Sequence, residues 1–366
     1  MRTSTSRSSI SSLQTAIFNM RILLIKPKQI GDSLILTPTI TAIRRTHPNA
    51  EIWVVVRRGC EGILAGCPDI ARILTVAAVE KSERRAGDWW RGLQTIWQVY
   101  TTKFDFIFEL GDGSRARNIA RLAGARRGKC FSVKPGDPGG ELAARKAGLK
   151  ISSFDWQTCH RVEKDFYTVS EFLPLPGPVP PLCFEPDFAQ EWKAGVALKD
   201  FCVVQVGSRQ GFNRWHREGW KKVGQGLLER FSQVVISCGP LAHETEEAAW
   251  LQQELGTRAI DTQGKTTWPE MAWLLYRAKL YVGPNTAAMH LAAACRCPAV
   301  ALFGPSIEDH WYPWQTPYRI VTSHGYKPVA DPVERYAQIK QRSMNEIEGR
   351  DVLAAVEELL SELGAG

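Results

Sequence analysis

Residues 20–45 read MRILLIKPKQIGDSLILTPTITAIRR. The apolar run Ile22–Ile25 has the length and bounds of a short buried strand. A tight loop follows, Lys26-Pro-Lys-Gln-Ile-Gly. Asp32–Arg45 then carries helical periodicity. Strand, tight loop and helix make the opening of a doubly wound α/β unit. The pattern recurs downstream. Glu51–Val56, Ala71–Val76 and Phe104–Leu110 read as strands, and Trp89–Tyr100 and Ser114–Leu122 as helices. This alternation argues for a parallel sheet with helices on both faces.

Leu173–Phe188 (LPLPGPVPPLCFEPDF) holds six prolines. Proline lacks an N–H and fixes φ, so this stretch is neither helix nor interior strand. It reads as a linker. A second alternation follows it. Phe201–Val206, Gln233–Ser237, Leu280–Val282 and Ala299–Phe303 read as strands. Trp215–Phe231, His243–Leu255, Pro269–Ala278 and Thr286–Ala294 read as helices. Ser343–Leu363 closes the chain as one long amphipathic helix. The expected organisation is a disordered extension over 1–19, a first domain over 20–172, a linker over 173–188, a second domain over 189–342 and a terminal helix over 343–366. Met20 reads as the natural start, although residues 1–19, rich in Ser, Thr and Arg, loosely resemble an organellar transit peptide.

The 366 residues carry a net charge of +8. Residues 1–19 contribute +2, residues 20–180 contribute +9 and residues 181–366 contribute −3. The first half therefore suits a polyanion: nucleic acid, a membrane surface or a phosphorylated substrate. No stretch approaches the ~20 apolar residues of a membrane span. Nine scattered cysteines lack a paired C-x-x-C framework, so buried, reduced thiols are expected and a zinc site is not. No Asp-x-Asp occurs, which disfavours a sugar-nucleotide enzyme holding its metal on such a pair.

Three loops carry candidate chemistry. In the first, Asp32 stands where the helix begins, at the mouth of the interdomain cleft; it reads either as an N-cap or as a functional carboxylate. In the second, VGSRQGFNRW (206–215), glycines and two arginines precede a helix, an arrangement that suits a diphosphate. In the third, VGPNTAAMHLA (282–292), Asn285 and Thr286 open a helix on which His290 lies one turn further, either as a packed core residue or as a functional one. A fourth loop, GDGSRA (111–116), fits the dinucleotide pattern, but the acid expected ~20 residues later is missing, and no nicotinamide cofactor is expected.

Taken together, these segments resemble the lipopolysaccharide heptosyltransferases of glycosyltransferase family 9. The resemblance runs over about residues 20–362, through the opening I-G-D loop, FDFIFELGDGSRARNIARLAGARRG, VGPNTAAMHLAAACRCPAVALFGPS and MNEIEGRDVLAAVEELL. It implies a GT-B architecture: two Rossmann-like domains facing a cleft, with acceptor on the first and donor on the second. It implies inverting, metal-independent transfer of heptose from ADP-heptose to the inner core of lipopolysaccharide, with no cofactor. Asp32 would be the general base. Ser208, Arg209, Arg214, Glu244, Asn285, Thr286, Ala287 and His290 would bind the donor. Lys81, Arg84, Arg85 and Arg91 would meet a phosphorylated, anionic glycolipid acceptor. The protein would work peripherally on the cytoplasmic face of the inner membrane and bind no nucleic acid.

Three positions depart from the family pattern. Asn285 stands where the family usually has Asp, Ala287-Ala288 where it has Gly-Pro, and Asn213 where its phosphate-loop lysine falls. They leave open a GT-B enzyme with another nucleotide-sugar or acceptor. A non-transferring sugar-nucleotide enzyme and a nucleic-acid-binding protein are the remaining alternatives.

Overall fold

The computed structural model describes residues 20–77, 88–124, 129–193, 195–323 and 331–364. In the first half the elements run β1 (Arg21–Lys26), α1 (Ile30–Ile35), α2 (Thr37–Thr46), β2 (Glu51–Arg57), β3 (Arg72–Val76), α3 (Asp88–Thr101), β4 (Phe106–Glu109), α4 (Ser114–Gly124), β5 (Lys129–Ser132), α5 (Pro138–Lys146), β6 (Lys150–Ile151) and α6 (Arg161–Ser170). The strands pair in parallel in the order β3-β2-β1-β4-β5-β6.

The second half repeats the plan. It comprises β7 (Phe201–Gln205), α7 (Arg217–Arg230), β8 (Gln233–Ser237), α8 (Ala242–Leu255), β9 (Ala259–Asp261), α9 (Trp268–Arg277), β10 (Tyr281–Pro284), α10 (Ala287–Ala294), β11 (Ala299–Phe303), α11 (Glu308–Trp311), β12 (Tyr318–Thr322), α12 (Pro332–Gln341) and α13 (Gly349–Glu362). Its parallel order is β12-β11-β10-β7-β8-β9. In each sheet the first strand of the half lies between the second and the fourth. The winding direction reverses at that point and opens a crevice beyond the strand ends. The crevices lie beside β1 and β4, and beside β7 and β10.

The central strands are apolar and buried almost throughout, as two-sided parallel sheets require. All nine cysteines are free thiols, most of them buried. No helix among the described residues is long and apolar enough to cross a membrane.

Several expectations are corrected. The helix expected over Asp32–Arg45 is two helices that break at Leu36. Pro38 has no N–H to donate to the carbonyl of Leu34, and the Thr37 hydroxyl donates to that carbonyl instead, at 2.7 Å. The N-cap of α1 is Gln29, so Asp32 is the third residue of the helix and not its cap. The terminal helix begins at Gly349, not Ser343. Ser343 and Glu346 form a capping box around a single 3₁₀ turn, and Ile347 is extended before α13 starts. Met344, Ile347, Val352, Val356 and Leu359 are buried in the core of the second half.

The proline-rich stretch forms no α-helix or strand, but it is not a solvated tether. Leu173, Leu175, Leu182 and Phe184 are buried. The amide of Cys183 donates to Thr37 Oγ1 at 2.9 Å, and Trp314 Nε1 donates to the Pro180 carbonyl at 2.9 Å. The stretch is thus fastened to both halves.

Candidate active site

The donor-type loops converge where β7, β8 and β10 end. Ser208 is buried, and its Oγ accepts from the Gln210 amide at 3.2 Å. The Ser208 carbonyl accepts from Arg214 Nε at 3.1 Å, which folds the Arg214 side chain back along its own loop. Gly207 holds φ +74, a conformation that strains other residues, and a Cβ there would stand 3.1 Å from Glu244 Cγ. This close approach lets the buried Glu244, in the first turn of α8, lie along the loop that follows β7. Asn213 Nδ2 donates to the Asn285 carbonyl at 3.1 Å, so the second and third loops are tied directly. Asn213 is itself buried.

Thr286 is the N-cap residue of α10, with extended backbone, but its side chain does not cap the helix. Its hydroxyl is buried and makes no hydrogen bond. The amides of Ala287 and Ala288 open α10 ahead of its i→i−4 ladder, an arrangement that favours an anion.

His290 lies one turn further, buried, and packs across the interface between the halves. A Cβ on Gly31 would stand 3.1 Å from His290 Cδ2 and 3.6 Å from Ala287 Cα. A Cβ here would press on the imidazole, so glycine at the start of α1 eases this approach. It brings the neighbouring Asp32 to the N-terminal end of α10. Burial pushes the His290 imidazole down to about 4, and the Asp32 charge acts in the opposite sense. Its Nδ1 is buried and makes no hydrogen bond. Trp311 packs beside the ring, with centroids 6.1 Å apart.

A cationic set on the first half faces the same cleft. Lys26 at the end of β1 forms a buried ion pair with Asp165 of α6. Arg161 Nη2 hydrogen-bonds His310 Nδ1 at 3.1 Å, and its guanidinium lies 4.4 Å from the Trp156 ring centroid. Lys164 Nζ stands 3.9 Å from the same ring. Burial pulls Lys164 down to about 8, and the positive charges of Lys28 and Arg161 act in the same direction. Burial also works against the Arg161 charge; Asp165, Asp32 and Asp112 are among the negative groups that offset it.

Two histidines complete the interface in neutral form. His160 Nδ1 accepts from the Val162 amide at 3.1 Å, so Nε2 carries the proton and donates to the Tyr312 carbonyl at 3.0 Å. Burial holds His160 down to about 3 and His310 to about 4.

The family model for glycosyltransferase family 9 (heptosyltransferase) matches residues 141–338. The chain belongs to glycosyltransferase family 9. Lipopolysaccharide heptosyltransferase 3 of Escherichia coli K12 is 25% identical over 358 residues, covering 91% of this chain and 96% of that protein. Lipopolysaccharide heptosyltransferase 1 of Pseudomonas aeruginosa is 25% identical over 294 residues, covering 78% and 79%. Among solved structures, a family 9 glycosyl transferase from Veillonella parvula superposes with a TM-score of 0.76 at 21% identity, covering 94% of this chain and 98% of that one. Heptosyltransferase WaaC of E. coli with ADP superposes at 0.72 with 18% identity, covering 93% and 100%. The fold is that of the GT-B heptosyltransferases, and the protein is an enzyme of the heptosyltransferase family.

Against this family frame, the residues singled out in the sequence fall into three groups. Ser208, Arg214, Glu244, Asn285, Thr286 and Ala287 gather on one edge of the second sheet, with the exposed Arg209 on the same loop. His290 packs against Gly31 at the interface, and the charge of the adjacent Asp32 acts on it. Arg91 lies apart, exposed on α3, and Lys81, Arg84 and Arg85 lie outside the described residues. The sequence reading missed Arg161, Lys164 and His310. No glycine-rich loop marks them, and α6 carries charges among its buried positions, which blurs its periodicity.

Proposed function

We propose that this protein transfers heptose from ADP-heptose to the inner core of lipopolysaccharide, with inversion at the anomeric carbon and without a metal. The approach of Gly31 to His290 and Ala287 carries this reading. It packs the residue next to Asp32 against the first turn of α10, and the Asp32 charge acts on His290.

Asp32 accepts the proton of the acceptor hydroxyl as that oxygen attacks the anomeric carbon. The bond to the diphosphate breaks on the opposite face, and ADP departs. The amides of Ala287 and Ala288, together with Arg209 and Arg214, meet the charge that develops on the leaving phosphate. Ser208, Asn285 and Thr286 hold the same loops around the diphosphate, and Glu244 meets the nucleoside. His290, neutral and buried, packs the two halves at the reacting centre. Arg161 and Lys164 line the acceptor side and meet its phosphates, with Arg91 and the basic stretch containing Lys81, Arg84 and Arg85 further out. The absence of any Asp-x-Asp supports transfer without a metal. The named relatives support heptose as the sugar, and one solved neighbour is E. coli WaaC with ADP-2-deoxy-2-fluoro heptose. The acceptor is membrane-anchored, so the enzyme works peripherally at the cytoplasmic face of the inner membrane.

Mass spectrometry of products from ADP-heptose and delipidated, truncated core saccharides tests this. The expected result is one heptose added to one acceptor. Turnover only with a uridine or guanosine sugar would favour a GT-B enzyme with another donor. Product formed without acceptor would favour a sugar-nucleotide enzyme that transfers nothing.

A further inference from the structure

On α3 the apolar side chains point outward. Trp90 is 57% exposed, Leu93 49% and Trp97 67%, with Ile96 and Tyr100 also exposed. Positions 90, 93, 97 and 100 follow the spacing of three and four that lines one face of a helix. A different face is used for packing. Val99 is buried, and buried Thr95 donates through Oγ1 to the Thr75 carbonyl of β3 at 2.7 Å. Exposed apolar side chains scattered singly are ordinary, but five along one face of one helix form a patch.

We infer that α3 is the element that docks this protein on an anionic lipid bilayer. The inference deepens, and rests on, the reading of a membrane-anchored acceptor. Trp and Tyr are the side chains favoured at the headgroup boundary, and Leu and Ile suit the acyl region just below it. The charge is of the matching sign. Over residues 81–104 the sequence holds five Lys or Arg against Glu83 and Asp88, a net +3, and Arg91 and Lys103 are exposed. Arg72, exposed on the edge strand β3, donates to Gln98 of α3 at 3.1 Å and adds a cation beside the helix. A second copy of the chain fits less well, because a two-fold pair would set the cations of this basic segment against one another. The position also suits an acceptor held in a membrane. α3 follows β3 in the crossover to β4, so its first turns start at the C-terminal ends of the strands, the end of the sheet where Asp32 stands.

Co-sedimentation of the full chain with vesicles of phosphatidylcholine, with and without phosphatidylglycerol, tests this. Binding is expected only to the mixed vesicles. Leu93→Glu and Trp97→Glu lower the partition by about tenfold or more, Trp97→Phe retains it, and Lys103→Gln lowers it about fivefold. Unchanged thermal melting shows that the variants fold. Transfer to the delipidated saccharide by Trp97→Glu stays at the wild-type rate, so failure of the proposed reaction and failure of docking are read separately. A wild-type protein that ignores mixed vesicles, or a Trp97→Glu variant that binds them normally, would overturn the inference. So would a concentration-dependent dimer that Trp97→Glu abolishes.

Discussion

Gly31 of the first domain and His290 of the second touch across the interface, with the Gly31 Cβ position 3.1 Å from the imidazole edge. That distance is shorter than ordinary van der Waals contact, so the two halves meet as closely as a missing side chain allows. The reacting groups assigned to acceptor and donor are the immediate neighbours of this contact.

A branched side chain at position 31 is therefore expected to press His290 and the start of α10 away from α1. Gly31→Val is expected to lower kcat by on the order of 10²-fold, because small displacements of reacting groups carry large rate penalties. ADP affinity, which the proposed function assigns to the second half, is expected to stay within about threefold of wild type on the same grounds. Steady-state kinetics with calorimetric ADP binding checks both. Equal loss in both readouts would show that the substitution damages the donor site itself.

Asn213 ties the loop after β7 to the start of α10 through the Asn285 carbonyl. Asn213→Ala removes that donor from a buried site. The expected cost is about 1–3 kcal/mol of stability. Weaker ADP binding should accompany it, since both loops bear residues proposed to hold the donor. Denaturant melts and ADP titration measure the two effects. Unchanged ADP affinity would mean that the loops hold their geometry without the tie.

Lys164 loses its proton near pH 8 because burial and the Lys28 and Arg161 charges disfavour its cation. Its positive charge is present below that pH and fades above it. Binding of an anionic acceptor should therefore weaken as pH rises through about 8. The KM for a phosphorylated acceptor is expected to climb over this range, with a smaller change in kcat. Lys164→Arg keeps its charge and should move the climb to higher pH. A KM profile identical in the two proteins would remove Lys164 from the acceptor site.

Much of this architecture was legible in the sequence, for physical reasons. Central strands such as Ile22–Ile25 and Ala299–Phe303 are buried on both faces, so their apolar runs stand out. Edge strands such as Lys150–Ile151 and Ala259–Asp261 are too short to leave a pattern. The break at Leu36 needed attention to Pro38 and its missing N–H, and the late start of α13 depended on the Ser343 cap. The loop after β7 stood out as a candidate because glycine and arginine cluster there before a helix. The cationic set on α6 was not, because Arg161 and Lys164 acquire meaning only when α6 folds back beside Trp156 and the loop containing Lys28. The contact between Gly31 and His290 joins opposite halves of the chain, and no local pattern encodes it.

The central claim is that Asp32 takes the acceptor proton. Asp32→Asn keeps the size of the side chain and removes its basicity. Single-turnover transfer of heptose from ADP-heptose to a delipidated core saccharide, measured beside ADP affinity, tests this most directly. The expected rate is lower by on the order of 10²–10⁴-fold with ADP affinity unchanged. A variant that transfers heptose at nearly the wild-type rate would contradict it.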